Sequence, residues 1–180
     1  MDFSVSLDDQ TKLLKYARDV IRASLYHQGR PEAPALSTIL HCGAFVTLSE
    51  GGSLRGCIGR MQSNDPLVAT VSEMAHAAAF EDPRFPPLKK EELDLVDIEI
   101  TLLSPLHPIA PDEVVVGKHG LLISARGRSG VLLPQVPVEY GWDRETFLEQ
   151  VCRKAGLPSD TWKSSQAQLY GFEGFVFSEP

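Results

Sequence analysis

Cysteine is scarce in this chain: Cys42, Cys57 and Cys152 are three among 180 residues. An odd, sparse set does not make a disulfide framework, so a reducing, cytoplasmic setting is expected. Basic residues are also in deficit. Seventeen Lys and Arg against 24 Asp and Glu give a net charge of −7. That balance argues against a nucleic-acid footprint and against an electrostatic anchor to anionic lipid. The acid excess is spread along the chain, which reads as a solubility feature. No apolar run approaches membrane-spanning length. The opening stretch MDFSVSLDDQ has acid where a secretory leader needs a cationic region, so no such leader is expected.

The usual metal spacings are missing as well. No CxxC and no HxxxH occurs among the three cysteines and five histidines. His41, Cys42, Cys57 and His76 would have to converge in space to hold a metal, and no spacing requires it. There is no P-loop, no dinucleotide fingerprint and no GxSxG elbow. Neither a metal nor a cofactor is therefore expected. Repeats, low-complexity segments and long linkers are absent too.

What is present is an ordinary globular composition, 43% hydrophobic, enough for a normal core. Leu14, Ala17, Ile21 and Leu25 recur at helical spacing and predict a helix from about Leu7 to Tyr26. Ser6 and Asp9 form a weak capping box at its start. Gly43 to Ser49 and Leu54 to Gly59 read as two strands of a hairpin, joined at Gly51-Gly52. Ser63-Asn64-Asp65-Pro66 opens a second helix to about Phe80, with a capping side chain ahead of proline. Its buried stripe is Leu67, Val71, Met74, Ala75 and Ala78. A proline-stiffened loop, EDPRFPP, follows. From Leu95 to Leu103, Val96, Ile98, Ile100 and Leu102 alternate with polar residues, as in a strand with one buried face. Gly120 to Ala125 and Val131 to Val136 flank RGRSG as another hairpin. Asp143 caps a helix to about Ala155, stopped by Gly156, and the aromatic carboxy-terminal stretch is strand-like. Without a regular βαβ rhythm, the class is α+β with a largely antiparallel sheet.

Three stretches carry candidate chemistry. In LRGCIG, strand alternation points Leu54 and Ile58 into the core and puts Arg55 and Cys57 on the opposite face, ~7 Å apart. A guanidinium that close favours thiolate. Gly56 and Gly59 leave room for a ligand or another backbone. One reading is a reactive thiol at Cys57 beside an arginine that takes a small anionic ligand. The other is a packed cysteine, with Arg55 paired to a carboxylate. A Cys–His pair, with His41 or His76 as base, would need adjacency that sequence does not establish. His76, late on its helix, reads otherwise as a surface or C-terminal capping residue. In EDPRFPPL, Asp82 and Arg84 pair with each other or present charge at a site rim. In LLPQVPVEYGW, Pro134 implies an edge strand or bulge. Gln135 would then turn its amide to a ligand or satisfy freed backbone groups. Trp142 and Trp162 read as core.

GAFVTL, LRGCIG, AAFEDPRFPPL, IEITLLSPL, GLLI and LLPQVPVEYGWDRETFLEQVCRKAGLPSDTW together resemble the AMMECR domain family, over residues 7–179 as a single domain. The LRGCIG hexapeptide is that family's signature and stands unchanged here. Size and acidic balance resemble the prokaryotic members grouped in the AmmeMemoRadiSam system. The resemblance implies two unequal subdomains around a cleft that holds Leu54 to Gly59. It also implies two companions, a Memo-type protein and a radical SAM enzyme. Two functions follow as expectations. Either the chain is an enzyme or enzyme component with Cys57 as nucleophile, Arg55, Gly56, Gly59, Asp82, Arg84 and Gln135 lining the site. Or it is a non-catalytic adaptor that binds one of the companions.

Overall fold

The computed structural model describes residues 3–180. Met1 and Asp2, on which the reading of the amino-terminal stretch partly rests, lie outside them. The chain divides into two units, one reaching to Leu103 and including Phe175–Pro180, the other Ser104–Gly174.

In the first unit, helix α1 (Leu7–Leu25) begins where Ser6 accepts the Asp9 N–H at 3.2 Å. The Asp9 carboxylate does not complete a capping box. It is buried and takes the backbone N–H and hydroxyl of Ser37, which ties the following loop to the helix. Strands β1 (Gly43–Glu50) and β2 (Ser53–Arg60) form an antiparallel hairpin. Gly51 and Gly52 both have positive φ (58° and 81°), the conformation of a two-residue hairpin turn that glycine adopts without steric cost. Strand β3 (Val96–Leu103) pairs antiparallel with β1 on its other side, leaving β2 at the edge. Helix α2 (Leu67–Phe80) starts one residue after Pro66 without the side-chain cap expected from Asp65. Instead Ser63 accepts the Asp65 N–H. The apolar stripes of α1 and α2 pack on Val46, Leu48, Ile98, Ile100 and Leu102 as one core. The alternation expected of β3 holds, except that Thr101 is buried as well.

Arg18 and Glu179 close this unit. The guanidinium grips both carboxylate oxygens at 2.7 Å and donates to the carbonyls of Leu93 and Val96. Glu179 also accepts the Ile98 N–H. Removing one partner of a largely buried, hydrogen-bonded pair leaves the other charge desolvated. Glu179→Ala is therefore expected to lower stability by about 2–3 kcal/mol. Urea denaturation followed by far-ultraviolet circular dichroism measures it.

In the second unit, β4 (His107–Pro108) and β5 (His119–Ala125) each pair antiparallel with the first part of β7 (Gln168–Ser178), whose residues from Phe175 on belong to the first unit, and β6 (Arg128–Leu132) pairs with β5 at the edge. Arg126 and Gly127, both at positive φ, make the β5–β6 turn. Strand β6 ends at Leu132, short of the expected Val136. Pro134 lies beyond it, and Val136–Tyr140 form a short helix, α3, with proline in its first turn. Helix α4 (Arg144–Lys154) is capped by Asp143, which accepts the Thr146 N–H at 2.8 Å. Gly156, at φ 72°, follows it. Phe147, Leu148, Val151 and Cys152 from α4 pack with Leu121 and Ile123 as the second core. Trp142 and Trp162 sit at that core's margin, and Trp142 stacks on exposed Tyr140 at 5.0 Å. Among the described residues, no helix is long and apolar enough to cross a membrane.

Candidate functional site

The hexapeptide is built into the edge strand β2, whose outward backbone groups need partners from outside the ladder. Its register holds an irregularity that alternation does not anticipate. Leu48 stands opposite Gly56, but the next residue, Ser49, stands opposite Leu54. Arg55 is therefore the extra residue of a β-bulge. Two consequences follow. Leu54 leaves the expected core face and is 43% exposed. Arg55 is re-aimed and buried, and does not share a regular strand face with Cys57.

Arg55 meets a residue that sequence reading passed over. Its Nε and Nη2 grip the Glu92 carboxylate at 2.8 and 3.1 Å, and Nη2 donates to the Pro86 carbonyl at 2.9 Å. Glu92 lies in a single 3₁₀ turn just before β3, and its carboxylate also accepts the Lys89 N–H. The expectation of a carboxylate partner for Arg55 is met, and the guanidinium is not free for an anion on these edges. Its Nη1, turned away from Glu92 by the planar geometry of the group, is buried without a partner.

EDPRFPP supplies the clasp. Asp82, also buried, accepts the Cys57 N–H at 2.9 Å. It takes Nε and Nη2 of Arg84 at 3.0 and 2.8 Å, and the Arg84 backbone N–H at 3.0 Å. Arg84 Nη2 reaches the Cys57 carbonyl at 3.4 Å. The pair thus engages both backbone groups of Cys57, as a neighbouring strand would. Phe85 lies beside the two guanidinium groups, its ring centre 5.5 Å from Arg84 and 5.9 Å from Arg55. Asp82 and Arg84 pair with each other, the first of the two expectations, and the pair lies against the backbone of the hexapeptide.

The two glycines have different neighbours. A Cβ on Gly56 would stand 2.2 Å from the backbone oxygen of Ala78, so α2 itself fills the space that Gly56 leaves. A Cβ on Gly59 would meet the Phe45 ring at 2.2 Å. The expected room at both positions is taken by this chain, not left for a ligand. Cys57 is half-buried, and its Sγ lies 3.2 Å from Thr47 Oγ1 on the neighbouring strand. Neither candidate base is its hydrogen-bond partner. His41 Nδ1 contacts the Asn64 carbonyl, and His76 Nδ1 contacts Ser24 of α1. His76 is thus a helix–helix contact rather than a cap. Among the described residues, no group of three or more His, Cys, Asp and Glu side chains is placed to hold a metal. Gln135 lies in the second unit, exposed at the start of α3, where its carbonyl accepts the Glu139 N–H.

The electrostatics follow the contacts. The Arg84 side chain, then the Cys57 amide, holds the Asp82 carboxyl well below the usual carboxylate range. Arg55 lowers Glu92 in the same way, and Ser37 lowers Asp9. Burial pushes the Cys42 thiol up to about 11 and also raises Cys152. The sign of the pH effect is fixed by the carboxylates. Each has a lower pKa folded than unfolded. Its stabilisation is complete above the unfolded range of about pH 4 and is lost as pH falls towards the folded value. Melting temperature is expected to drop steeply below about pH 4. Asp82→Asn should flatten that slope while lowering stability at pH 7.

An α+β protein with an edge strand clasped by a proline-stiffened Asp–Arg loop is the class these features define. The chain belongs to the AMMECR1 family, whose model matches residues 14–177. It is 41% identical over 177 residues to a protein of Nanoarchaeum equitans, covering 93% of this chain and 98% of that one. It is 46% identical over 157 residues to a protein of Aquifex aeolicus, covering 83% and 80%. The crystal structure of an uncharacterised protein from Pyrococcus horikoshii superposes with a TM-score of 0.83 at 38% identity, covering 98% of this chain and 94% of that one.

Proposed function

We propose that this AMMECR1-family chain is a non-catalytic component of a multiprotein system, binding a Memo-type or radical SAM partner, and that LRGCIG serves as architecture. The observation that carries this reading is the Arg55–Glu92 pair. The one cation inside the hexapeptide is held by this chain's own carboxylate and carbonyl, where a ligand-binding role would need it free. The glycine contacts support the same view, since they pack α2 and Phe45 onto the strand. Co-purification at low salt with each companion from the same genome tests the proposal. A stoichiometric complex with one of them is expected. Failure to retain either would overturn it.

A second reading has its own support. Cys57 is half-buried rather than sealed, and Arg84, whose side chain is 56% exposed, lies against its carbonyl. In that reading Cys57 is a nucleophile or covalent carrier, with Arg84, already paired with Asp82, presenting its exposed edge beside it. The pH dependence of alkylation, site by site, separates the two. Cys42 and Cys152 serve as buried internal controls. A midpoint at Cys57 well below the free-thiol value of about 8.5 favours the second reading. Inertness until unfolding favours the first.

A further inference from the structure

The sheet of the second unit ends on β6, and that edge is open. Strand β6 pairs with β5 alone. The turn between them has two residues, Arg126 and Gly127, at φ 54° and 74°. The flanking pair Ala125–Arg128 therefore exchanges ladder hydrogen bonds. In an antiparallel ladder such pairs alternate with pairs whose backbone groups point away from each other. Gly130 and Leu132 bond to β5 by that rule, and Ser129 and Val131 turn their N–H and C=O groups outward. Among the described residues nothing takes those outward groups. The other edge strand differs, since Asp82 and Arg84 engage both backbone groups of Cys57.

Charge sets the same edge apart. Arg126 and Arg128 stand at one end of β6. The last turn of α4, which carries Arg153 and Lys154, closes on the middle of the strand, where a Cβ on Gly130 would lie 2.5 Å from the Ala155 nitrogen. All four basic residues are exposed. None is in an ion pair among the described residues. Arg128 Nη1 donates to the Gly156 carbonyl at 2.7 Å, which fixes that guanidinium beside the strand. Such a cluster runs against the balance of a chain whose net charge is −7.

We propose that β6 takes an extended acidic segment of a protein partner as an added strand. The outward groups of Ser129 and Val131 supply the ladder, and the four cations select acidic side chains. Charge complementarity decides the occupant. A second copy of this chain would bring the same four cations to the edge, whereas an acidic segment neutralises them. The proposal rests on the reading that the chain acts by binding a protein, and it assigns that binding a face.

The test follows backbone amide hydrogen exchange in the ¹⁵N-labelled full chain. In the chain alone, Ser129 and Val131 should be protected about 10²-fold less than Gly130, which donates to β5. Equal protection of all three would overturn the open edge. The probe is an acetylated octapeptide of alternating glutamate and valine. Its controls are a lysine–valine counterpart, a glutamate–proline copy that keeps the charge but disrupts a ladder, and decathymidylate. At saturation the glutamate–valine peptide is expected to slow exchange at Ser129 and Val131 by about tenfold or more. The lysine and proline controls should bind about tenfold or more weakly, and Arg126→Gln with Lys154→Gln should weaken the glutamate–valine peptide by a similar factor. No slowing by that peptide would overturn the proposal and leave the cations as a guard against self-pairing of the edge. Equal binding of the proline copy would also overturn it, as would slowing by decathymidylate alone. The surface and the partner reading fail separately. An Arg126→Gln, Lys154→Gln variant that captures the companion proposed above as well as wild type does overturns the surface only. Peptide docking on β6 with neither companion retained overturns the partner reading only.

Discussion

Gly56→Ala is expected to be the most damaging single substitution in the hexapeptide. The added carbon would lie 2.2 Å from the Ala78 carbonyl oxygen, which belongs to the backbone of α2 and cannot rotate away. Either the helix or the edge strand must move by about an ångström. Overpacking of this kind costs typically 1–3 kcal/mol, and a clash with backbone belongs at the upper end. About 3 kcal/mol corresponds to a fall in melting temperature of roughly 6–12 °C for a chain of this length. Gly29→Ala is the control, because nothing lies within 4 Å of its added carbon, and it should leave the melt within about 1–2 °C. Differential scanning calorimetry of the two variants measures both. The result also bears on function. If Gly56 were kept open for a ligand, alanine would impair binding without this loss of stability.

Glu92→Ala comes next. It strips Arg55 of its carboxylate and leaves a buried side chain, 11% exposed, with only the Pro86 carbonyl among its present hydrogen-bond partners. Orphaning a buried charge costs about 3–5 kcal/mol, and Glu92 is exposed enough to place the loss near ~3 kcal/mol. The double variant Arg55→Met, Glu92→Leu removes both charges together. It should recover most of that loss, as apolar replacement of buried ion pairs often does. Chemical denaturation of the two singles and the double gives the coupling. A double variant that is stable and still captures the companion proposed above would mean that Arg55 serves the fold. A stable double variant that no longer captures that proposed companion would mean that Arg55 serves recognition.

Local chemistry carries much of this fold in plain sight. Caps at Ser6 and Asp143, the glycine turn at 51–52, and the apolar stripes of α1 and α2 all stand in the sequence where the structure places them, whereas the second hairpin turns at Arg126-Gly127 and its strand already begins at Arg128, inside the expected RGRSG loop. Misreadings arise where tertiary pairing overrides local pattern. Alternation alone assigns Leu54 to the core, but the bulge at Arg55 turns it outward, and neither glycine nor proline at position 55 signals the bulge. Glu92 lies 37 residues after Arg55, so their meeting depends on the path of the loop between them. The short helix α3 did leave a signal. Pro137 in its first turn is a helix-start residue, and the strand expected to run to Val136 takes no account of it. For the candidate site, the motif and its loop were both legible as candidate stretches, and the structure places them in contact. What each residue does there was not, because Asp82 acts through a backbone N–H and the glycines act through what packs on them.

Cys57→Ser bears most directly on the central claim that LRGCIG is architecture and not a thiol catalyst. The substitution keeps size and can still hydrogen-bond Thr47. The measurement is product formation by the chain reconstituted with the companions proposed above, with complex formation read in parallel. Architecture predicts turnover within about twofold of wild type and an intact complex, since a conserved hydrogen bond leaves little energy to lose. Turnover reduced by about 10²-fold or more, with the complex still formed, would contradict it and assign Cys57 a covalent role.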